Sequence, residues 1–155
     1  KAANRILIID LDVHQGNGTA EIFQSNDAVF TFSMHGANNY PLRKESSDLD
    51  IPLADGIKDE AYLELLVTHL ERITQEFQPD FIFYQCGADI LETDKLGRLG
   101  VSVAGCKKRD EIVLKKALEL EAPLVCSMGG GYSEDIKVIV EAHANTFRLA
   151  QDLFF

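Results

Sequence analysis

Four short apolar segments, each ending in polar or glycine-rich residues, constrain the fold of this chain most strongly. They are rich in Ile, Val and Phe and lie at 5–10 (RILIID), 29–33 (VFTFS), 81–86 (FIFYQC) and 124–128 (LVCSM). Runs of this length and composition are typical of strands buried in a parallel sheet. Helical patterns separate them, so the sequence predicts an α/β fold with a mainly parallel sheet.

Four helices are predicted between and after these strands, at 19–24, 59–77, 107–120 and 134–152. The second is the clearest, because its apolar residues recur at the i, i+3, i+4 spacing of an amphipathic helix, and Pro79 ends it. The last carries an apolar stripe that includes Ile136, Val140 and Phe147. The segment 36–56 has no periodic pattern, which predicts a long loop.

The composition narrows the class of protein. The chain has 155 residues, of which 46% are hydrophobic, and a formal net charge of −10. This length predicts one domain with a sizeable core, and the acid excess argues against nucleic acid or an anionic membrane surface as a partner. Cys86, Cys106 and Cys126 are widely spaced, which favours free thiols acting as small core residues in a reducing, cytoplasmic location.

Chemically reactive side chains follow the strands, at the edge of a parallel sheet where ligands bind. Asp10, Asp12 and His14 alternate after the first strand, so an extended backbone would point them to the same side. Asp89 follows the third strand. Carboxylate and imidazole together favour zinc, iron or manganese, and a catalytic zinc takes three protein ligands. The pattern therefore predicts a metal site, the alternative being that Asp12 and His14 only cap the turn into the next helix.

The fourth strand leads into a glycine-rich turn at 129–131, followed by Tyr132. Such a turn could bring the backbone close to a ligand or bind a phosphate, or it could be a tight turn with no further role. The Tyr132 hydroxyl is a donor of the kind that stabilises charge developing on a carbonyl oxygen.

The remaining polar candidates are expected to have no catalytic role. We expect His35 to be solvated in a loop, and His69 and His143 to pack on apolar helix stripes. The charged runs at 107–111 and 115–116 are expected to be solvated helix faces.

Taken together, these motifs resemble the zinc-dependent histone deacetylase superfamily, which includes bacterial acetoin-utilisation and acetylpolyamine deacetylases. The matching segments are DLDVHQGNGT at 10–19, FSMH at 32–35, CGADILETDKLGRLGVSVAG at 86–105 and GGGY at 129–132. The third segment and the KKRDEIV that follows it are most similar to the class IV branch. The resemblance implies a three-layer arginase/deacetylase-like α/β fold, in which 1–155 would be the C-terminal part of a single domain whose upstream half is absent.

The resemblance also implies how the site works. Asp12, His14 and Asp89 would bind Zn²⁺, with Fe²⁺ possible, and the metal would polarise the amide carbonyl and lower the pKa of its water. Tyr132 would donate to the carbonyl oxygen as it becomes an oxyanion. Gly131 would lie against the substrate.

Further roles are implied behind and beside the metal ligands. Asp10 would orient a histidine, and Asn17 would orient another. Asp10 would also help to hold a structural K⁺ or Na⁺, together with the Ser33 side chain, the Met34 carbonyl and the carbonyls of two of the metal ligands. Leu96 would line the acyl tunnel.

One departure from the family pattern is large. The family uses a tandem His-His pair, upstream of the DxDxH strand, as general base and acid, whereas the four histidines here are single. The chain starts at Lys1 without an initiator Met, and we expect it to be part of a longer domain. Loss of a general base typically costs 10²- to 10⁴-fold in rate. The parent protein is therefore expected to hydrolyse an acyl-lysine peptide, an acetylated polyamine or another small amide, and this chain alone to be inactive.

Three alternatives remain. The string ILIIDLD also resembles the nucleophile strand of haloacid-dehalogenase-type phosphatases, which place Thr or Val where this chain has His14. An arginase-like ureohydrolase would need a further Asp at the position of Gly16. The chain could also be a non-catalytic, truncated metal-binding module that self-associates through an exposed sheet edge.

Overall fold

The computed structural model describes residues 3–155, which form five strands and four helices. In chain order these are β1 (Ile6–Asp10), α1 (Asn17–Phe23), β2 (Val29–Gly36), β3 (Leu49–Leu53), α2 (Asp59–Phe77), β4 (Phe81–Gln85), α3 (Val103–Glu119), β5 (Leu124–Ser127) and α4 (Ile136–Phe154). The strands lie in the order β3-β2-β1-β4-β5 and every neighbouring pair is parallel. The predicted α/β class and parallel sheet are confirmed.

The helices lie in layers on the two faces of the sheet. Leu7 and Ile9 of β1 are fully buried in one cluster with apolar side chains of α2, α3 and α4. The alternate residue Ile8 points to the other face, where it lines a cleft with Phe23 of α1 and Phe83 of β4. The three layers are therefore α1, the sheet, and the group α2, α3 and α4. Among the described residues, no helix is both long and apolar enough to cross a membrane.

The predicted loop at 36–56 is wrong in two places. β2 continues to Gly36, and β3 forms at Leu49–Leu53 and pairs with β2 from Phe32↔Leu49 to Gly36↔Leu53. β3 is an edge strand, where Pro52 is tolerated although proline cannot donate to a ladder. Asp50 and Pro52 interrupt the apolar residues of this strand, so a search for continuous apolar runs did not detect it.

Buried polar residues account for two further corrections. His35 is buried rather than solvated, because it lies inside the extended β2, with Nδ1 2.9 Å from Ser33 Oγ. Arg109 and Asp110 were expected on a solvated helix face, yet their exposed fractions are 1% and 0%. They are buried because each satisfies the other's charge, at 2.8 Å.

Helix α3 and the cysteines also depart in part from expectation. α3 begins at Val103 rather than at 107, with the Ser102 hydroxyl as N-cap accepting the Gly105 N–H at 3.0 Å.

All the cysteines are free, as expected, but Cys126 is exposed and is not a core residue. His69 and His143 are half-buried on their helices, as predicted.

Candidate metal centre

Asp12, His14 and Asp89 lie together at the carboxyl ends of β1 and β4. One ligand atom from each lies within 4.8 Å of the others. His14 Nδ1 is 3.0 Å from Asp12 Oδ1 and 3.3 Å from Asp89 Oδ2. β1 and β4 are adjacent and parallel, so the loops that follow them leave the sheet at the same edge and bring these side chains together.

The Asp89 carboxylate shows that this group is incomplete by itself. Asp89 Oδ1 accepts the Val13 N–H at 3.0 Å. Its other oxygen, Oδ2, is buried and has no hydrogen-bond partner in the described part of the chain. Burying an unsatisfied polar atom is costly, and a bound cation would satisfy this oxygen. Two carboxylates and one imidazole are a donor set that fits a divalent transition metal.

The raised pKa values of two carboxyl groups also favour a cation at this position. Burial raises the pKa of Asp10 to about 7, with the charges of Asp12 and Asp89 adding to the effect. Burial followed by the charge of Asp12 raises the pKa of Asp89, also to about 7. Neighbouring carboxylates thus raise the pKa values of Asp10 and Asp89, and a cation would relieve this repulsion.

Two glycines allow the backbone to approach these carboxylates closely. A Cβ on Gly87 would lie 2.4 Å from Asp12 Oδ2, and one on Gly130 would lie 2.0 Å from Asp89 Oδ2. Gly130 and Gly131 also have positive φ angles, of 22° and 132°, which disfavour other residues. The glycine-rich turn therefore packs directly against Asp89.

Asp94 fixes the residues that follow this turn. Its Oδ2 accepts the Tyr132 N–H at 2.6 Å, and its Oδ1 accepts the N–H groups of Leu96 and Gly97 at 2.8 and 2.7 Å. The side chains of Tyr132 and Leu96 are exposed by 50% and 57%. Sequence reasoning assigned no role to Asp94, although an Asp three residues before a Gly is a recognisable turn signal.

Asp10, Ser33 and Met34, the residues expected to hold a monovalent cation, lie on β1 and β2 next to the candidate metal centre. Asp10 is opposite Ser33 in the ladder between β1 and β2, and its Oδ1 accepts the Asp12 N–H at 3.1 Å. A cavity of about 10 Å³ lies between Asp10 and Ser33, which is room for about one water-sized particle. Met34 is fully buried beside them in β2.

The segment after His14 is held by Gln15, whose role the sequence did not reveal. Gln15 Nε2 donates to Glu45 O at 2.7 Å and to Asp50 Oδ1 at 2.9 Å, and Gln15 Oε1 accepts the Glu45 N–H at 2.9 Å. Asn17 begins α1, and its backbone N–H donates to Gln15 O at 2.8 Å. Gln15 therefore ties the loop that carries Asp12 and His14 to the segment before β3.

A parallel α/β sheet with two carboxylates and an imidazole at its carboxyl edge has the architecture of the arginase/deacetylase fold. A family comparison agrees, because the family described as histone deacetylase domain matches residues 1–147. The chain belongs to the histone deacetylase domain family. Its likeness to the class IV branch stays a prediction.

Individual relatives support the same family. An uncharacterized protein of Picosynechococcus sp. is 45% identical over 152 residues, which cover 98% of this chain and 51% of that protein. Histone deacetylase 2 of Arabidopsis thaliana is 35% identical over 149 residues, which cover 94% of this chain and 38% of the relative. The chain thus spans about half or less of the length of these relatives.

Solved structures show the same fold. The HDA15 HD domain superposes with a TM-score of 0.79 at 27% identity, covering 97% of this chain and 46% of that one. Acetylpolyamine aminohydrolase from Burkholderia pseudomallei superposes with a TM-score of 0.81 at 24% identity, again covering 97% and 46%. The second likeness supports the fold alone.

Proposed function

We propose that the protein acts in the metal-dependent hydrolysis of an N-acyl amide, with Asp12, His14 and Asp89 holding the metal ion. The observation that carries this proposal is the buried Asp89 Oδ2, which lacks a hydrogen-bond partner among the described residues and lies 3.3 Å from His14 Nδ1. Zn²⁺ is the proposed ion and Fe²⁺ the alternative. When bound, the ion would polarise the amide carbonyl and lower the pKa of a water molecule.

The chain's own residues would orient the substrate and stabilise charge. The Tyr132 hydroxyl donates a hydrogen bond to the substrate carbonyl oxygen as that oxygen gains charge, while Asp94 holds the Tyr132 backbone in place. Gly131 and Leu96 lie along the acyl group. The support for these roles is the packing of the glycine-rich turn against Asp89.

Other residues would support the ligands. Asp10, Ser33 and Met34 hold K⁺ or Na⁺ behind the metal, which the small cavity beside Asp10 supports. Asp10 and Asn17 orient the histidines that serve as general base and acid. No His-His pair occurs in these 155 residues, so we infer that the chain by itself has negligible deacetylase activity.

The proposed substrate is an acyl-lysine peptide, an acetylated polyamine or another small amide. Membership of the histone deacetylase domain family and a relative named as a histone deacetylase support this class. A net charge of −10 suits a cationic substrate and disfavours nucleic acid or a membrane surface. A cytoplasmic location is also proposed, supported by three free cysteines.

Metal titration of His14→Ala tests the proposal. His69→Ala is the matched control, because it removes an imidazole on α2, away from the strand ends. We expect calorimetry to show Zn²⁺ affinity falling at least about 100-fold in His14→Ala, beyond the effect of losing a residue that merely supports a ligand, and unchanged in His69→Ala. Wild-type affinity in His14→Ala would contradict the site and favour a phosphatase-like reading, which needs no imidazole.

An activity assay tests the inferred lack of turnover. The purified chain is expected to leave an acetyl-lysine peptide uncleaved when Zn²⁺ is present. Turnover that a chelator abolishes would show that the chain is an enzyme without the family's His-His pair.

A second candidate function is self-association. Ile136, Val140 and Phe147 on α4 are exposed by 65%, 59% and 65%, and Val125 on the edge strand β5 by 44%. Apolar side chains grouped on a surface are typical of interaction sites. Light scattering is expected to detect an oligomer that Val140→Lys weakens, and a wild-type monomer at high concentration would contradict this candidate.

A further inference from the structure

Helix α3 carries a buried ion pair that reaches the backbone of both metal-ligand loops. Arg109 Nε and Nη2 donate to Asp110 Oδ1 at 2.9 and 2.8 Å. Arg109 Nη1 donates to Gly87 O at 2.6 Å and to Leu11 O at 3.3 Å. Leu11 directly precedes the ligand Asp12 in the chain, and Gly87 lies two residues before the ligand Asp89. One guanidinium thus contacts both ligand-bearing segments.

The contacts of Arg109 lie just beyond the end of the hydrogen-bond ladder between β1 and β4. The backbone ladder between β1 and β4 extends to the bond from Leu11 N–H to Gln85 O, at 3.1 Å. Beyond it, Arg109 and the bond from Val13 N–H to Asp89 Oδ1 connect the two segments. Arg109 therefore continues the connection where the ladder has ended, at the residues that would hold the metal.

Asp110 is fully partnered, which makes the pair electrically neutral. Its Oδ1 accepts the Tyr84 hydroxyl at 2.5 Å in addition to the guanidinium, and its Oδ2 accepts the Thr146 hydroxyl at 2.7 Å. An unpaired guanidinium beneath a cation site would repel the cation, whereas a neutral pair provides hydrogen-bond donors with little net field.

We propose that Arg109 is a positioning residue for the metal centre. Its guanidinium fixes the spacing of the loops that carry Asp12 and Asp89, and Asp110 cancels its charge. This inference rests on the proposed function, because it requires that Asp12, His14 and Asp89 bind a metal. A lysine could not replace Arg109, since only the planar guanidinium reaches the carboxylate and two carbonyls together.

A purely structural role makes a different prediction. If the pair only joins α3 to β4 and α4, removing it would lower the stability of the protein and leave the metal affinity of the folded protein unchanged. If Arg109 positions the loops, affinity and coordination geometry change in protein that is still folded. The two roles are therefore separated by metal binding rather than by stability.

The test is Co²⁺ titration of Arg109→Met/Asp110→Asn, in which the net charge is conserved. Methionine fills the space of the arginine stem, and the asparagine amide can still accept from Tyr84 and donate to Thr146. We expect Co²⁺ affinity to fall about 10-fold, as for residues that hold metal ligands in place, and the visible absorption bands of Co²⁺ to change. Leu70→Ala is the matched control, because Leu70 is a buried residue of α2 outside the site; it should lower stability and leave both readouts unchanged.

Each outcome of these titrations either supports or overturns the positioning role of Arg109. Arg109→Lys provides a second test that does not depend on the folding of the double variant, and it should also weaken binding. Wild-type affinity and spectrum in either folded variant would overturn the positioning role, while the proposed function would stand if His14→Ala still abolishes binding. A wild-type protein without His14-dependent Co²⁺ binding would overturn both.

Discussion

Two groups of charged side chains contact the loops that follow β1 and β4, and they differ in charge balance. One is the candidate metal centre, and the other is the Arg109–Asp110 pair on α3. In the candidate metal centre, carboxylates outnumber the one imidazole, and Asp89 Oδ2 is buried without a hydrogen-bond partner among the described residues. In the second group, Arg109 and Asp110 are as deeply buried as Asp89, yet both oxygens of Asp110 have a donor. An unbalanced cluster leaves a place for a cation, whereas a balanced one is a permanent part of the fold.

Without metal, the largest expected difference is between the effects of one substitution in each group on the free energy of unfolding. Asp110→Ala leaves the buried Arg109 charge unpaired, and we expect the free energy of unfolding to fall by about 3–5 kcal/mol. Asp89→Asn removes a carboxyl group from a crowded site and should leave the stability unchanged or higher. Urea denaturation in the presence of a chelator measures both, and an Asp110→Ala loss below about 1 kcal/mol would remove the distinction between the clusters.

The next effect is stabilisation by the metal. A ligand that binds only the folded state at 100 times its dissociation constant stabilises it by about 2.7 kcal/mol. We expect Zn²⁺ to do this for the wild type and for Leu70→Ala, but not for Asp89→Asn. The measurement is the urea midpoint with Zn²⁺ and with chelator. Equal stabilisation of Asp89→Asn by Zn²⁺ would place the metal elsewhere.

The pH dependence without metal follows from the raised pKa values. The pKa of Asp89 is about 7 in the folded protein, against 3.8 for a free side chain. Between these values the folded state binds more protons than the unfolded state, so this group makes the protein more stable as the pH falls from about 7 to about 4. The slope is at most about 1.4 kcal/mol per pH unit for one proton. Asp89→Asn should lose this contribution, and an identical pH profile in wild type and variant would contradict the burial of a strained carboxyl group.

The elements that the sequence predicted are those whose signal is local. The apolar runs of β1, β2 and β4 reflect burial of residues in these strands. The apolar run of β5 predicted a strand correctly but not its burial, because β5 lies at the edge of the sheet and three of its four residues are exposed. Parallel strands ending at one edge imply that Asp12, His14 and Asp89 converge. This convergence needs only the order of strands and helices, which is visible in the apolar pattern.

The elements that were missed depend on partners remote in the chain. In β3 the apolar residues Leu49, Ile51 and Leu53 alternate with Asp50 and Pro52, so they form no continuous apolar run, and the strand is stabilised by pairing with β2. Arg109 and Asp110 stand in a run of charged residues typical of a solvated face. Besides pairing with each other, both find partners remote in the chain: Arg109 donates to the carbonyls of Leu11 and Gly87, 98 and 22 residues away, and Asp110 accepts from Tyr84 and Thr146. No local pattern contains that information.

The smallest expected effect concerns an ion pair on the same helix as the buried one. Hydrogen bonds from Lys108 and Lys115 lower the pKa of Glu111 to about 2, yet both lysines are exposed by more than half. We expect Lys115→Met to change the free energy of unfolding by only about 0.3–0.5 kcal/mol, because water screens exposed pairs. Urea denaturation at low and high salt measures this effect. A loss as large as that in Asp110→Ala would mean that the contrast arises from α3 as a whole, and not from the buried carbonyl contacts that distinguish Arg109 from the surface lysines.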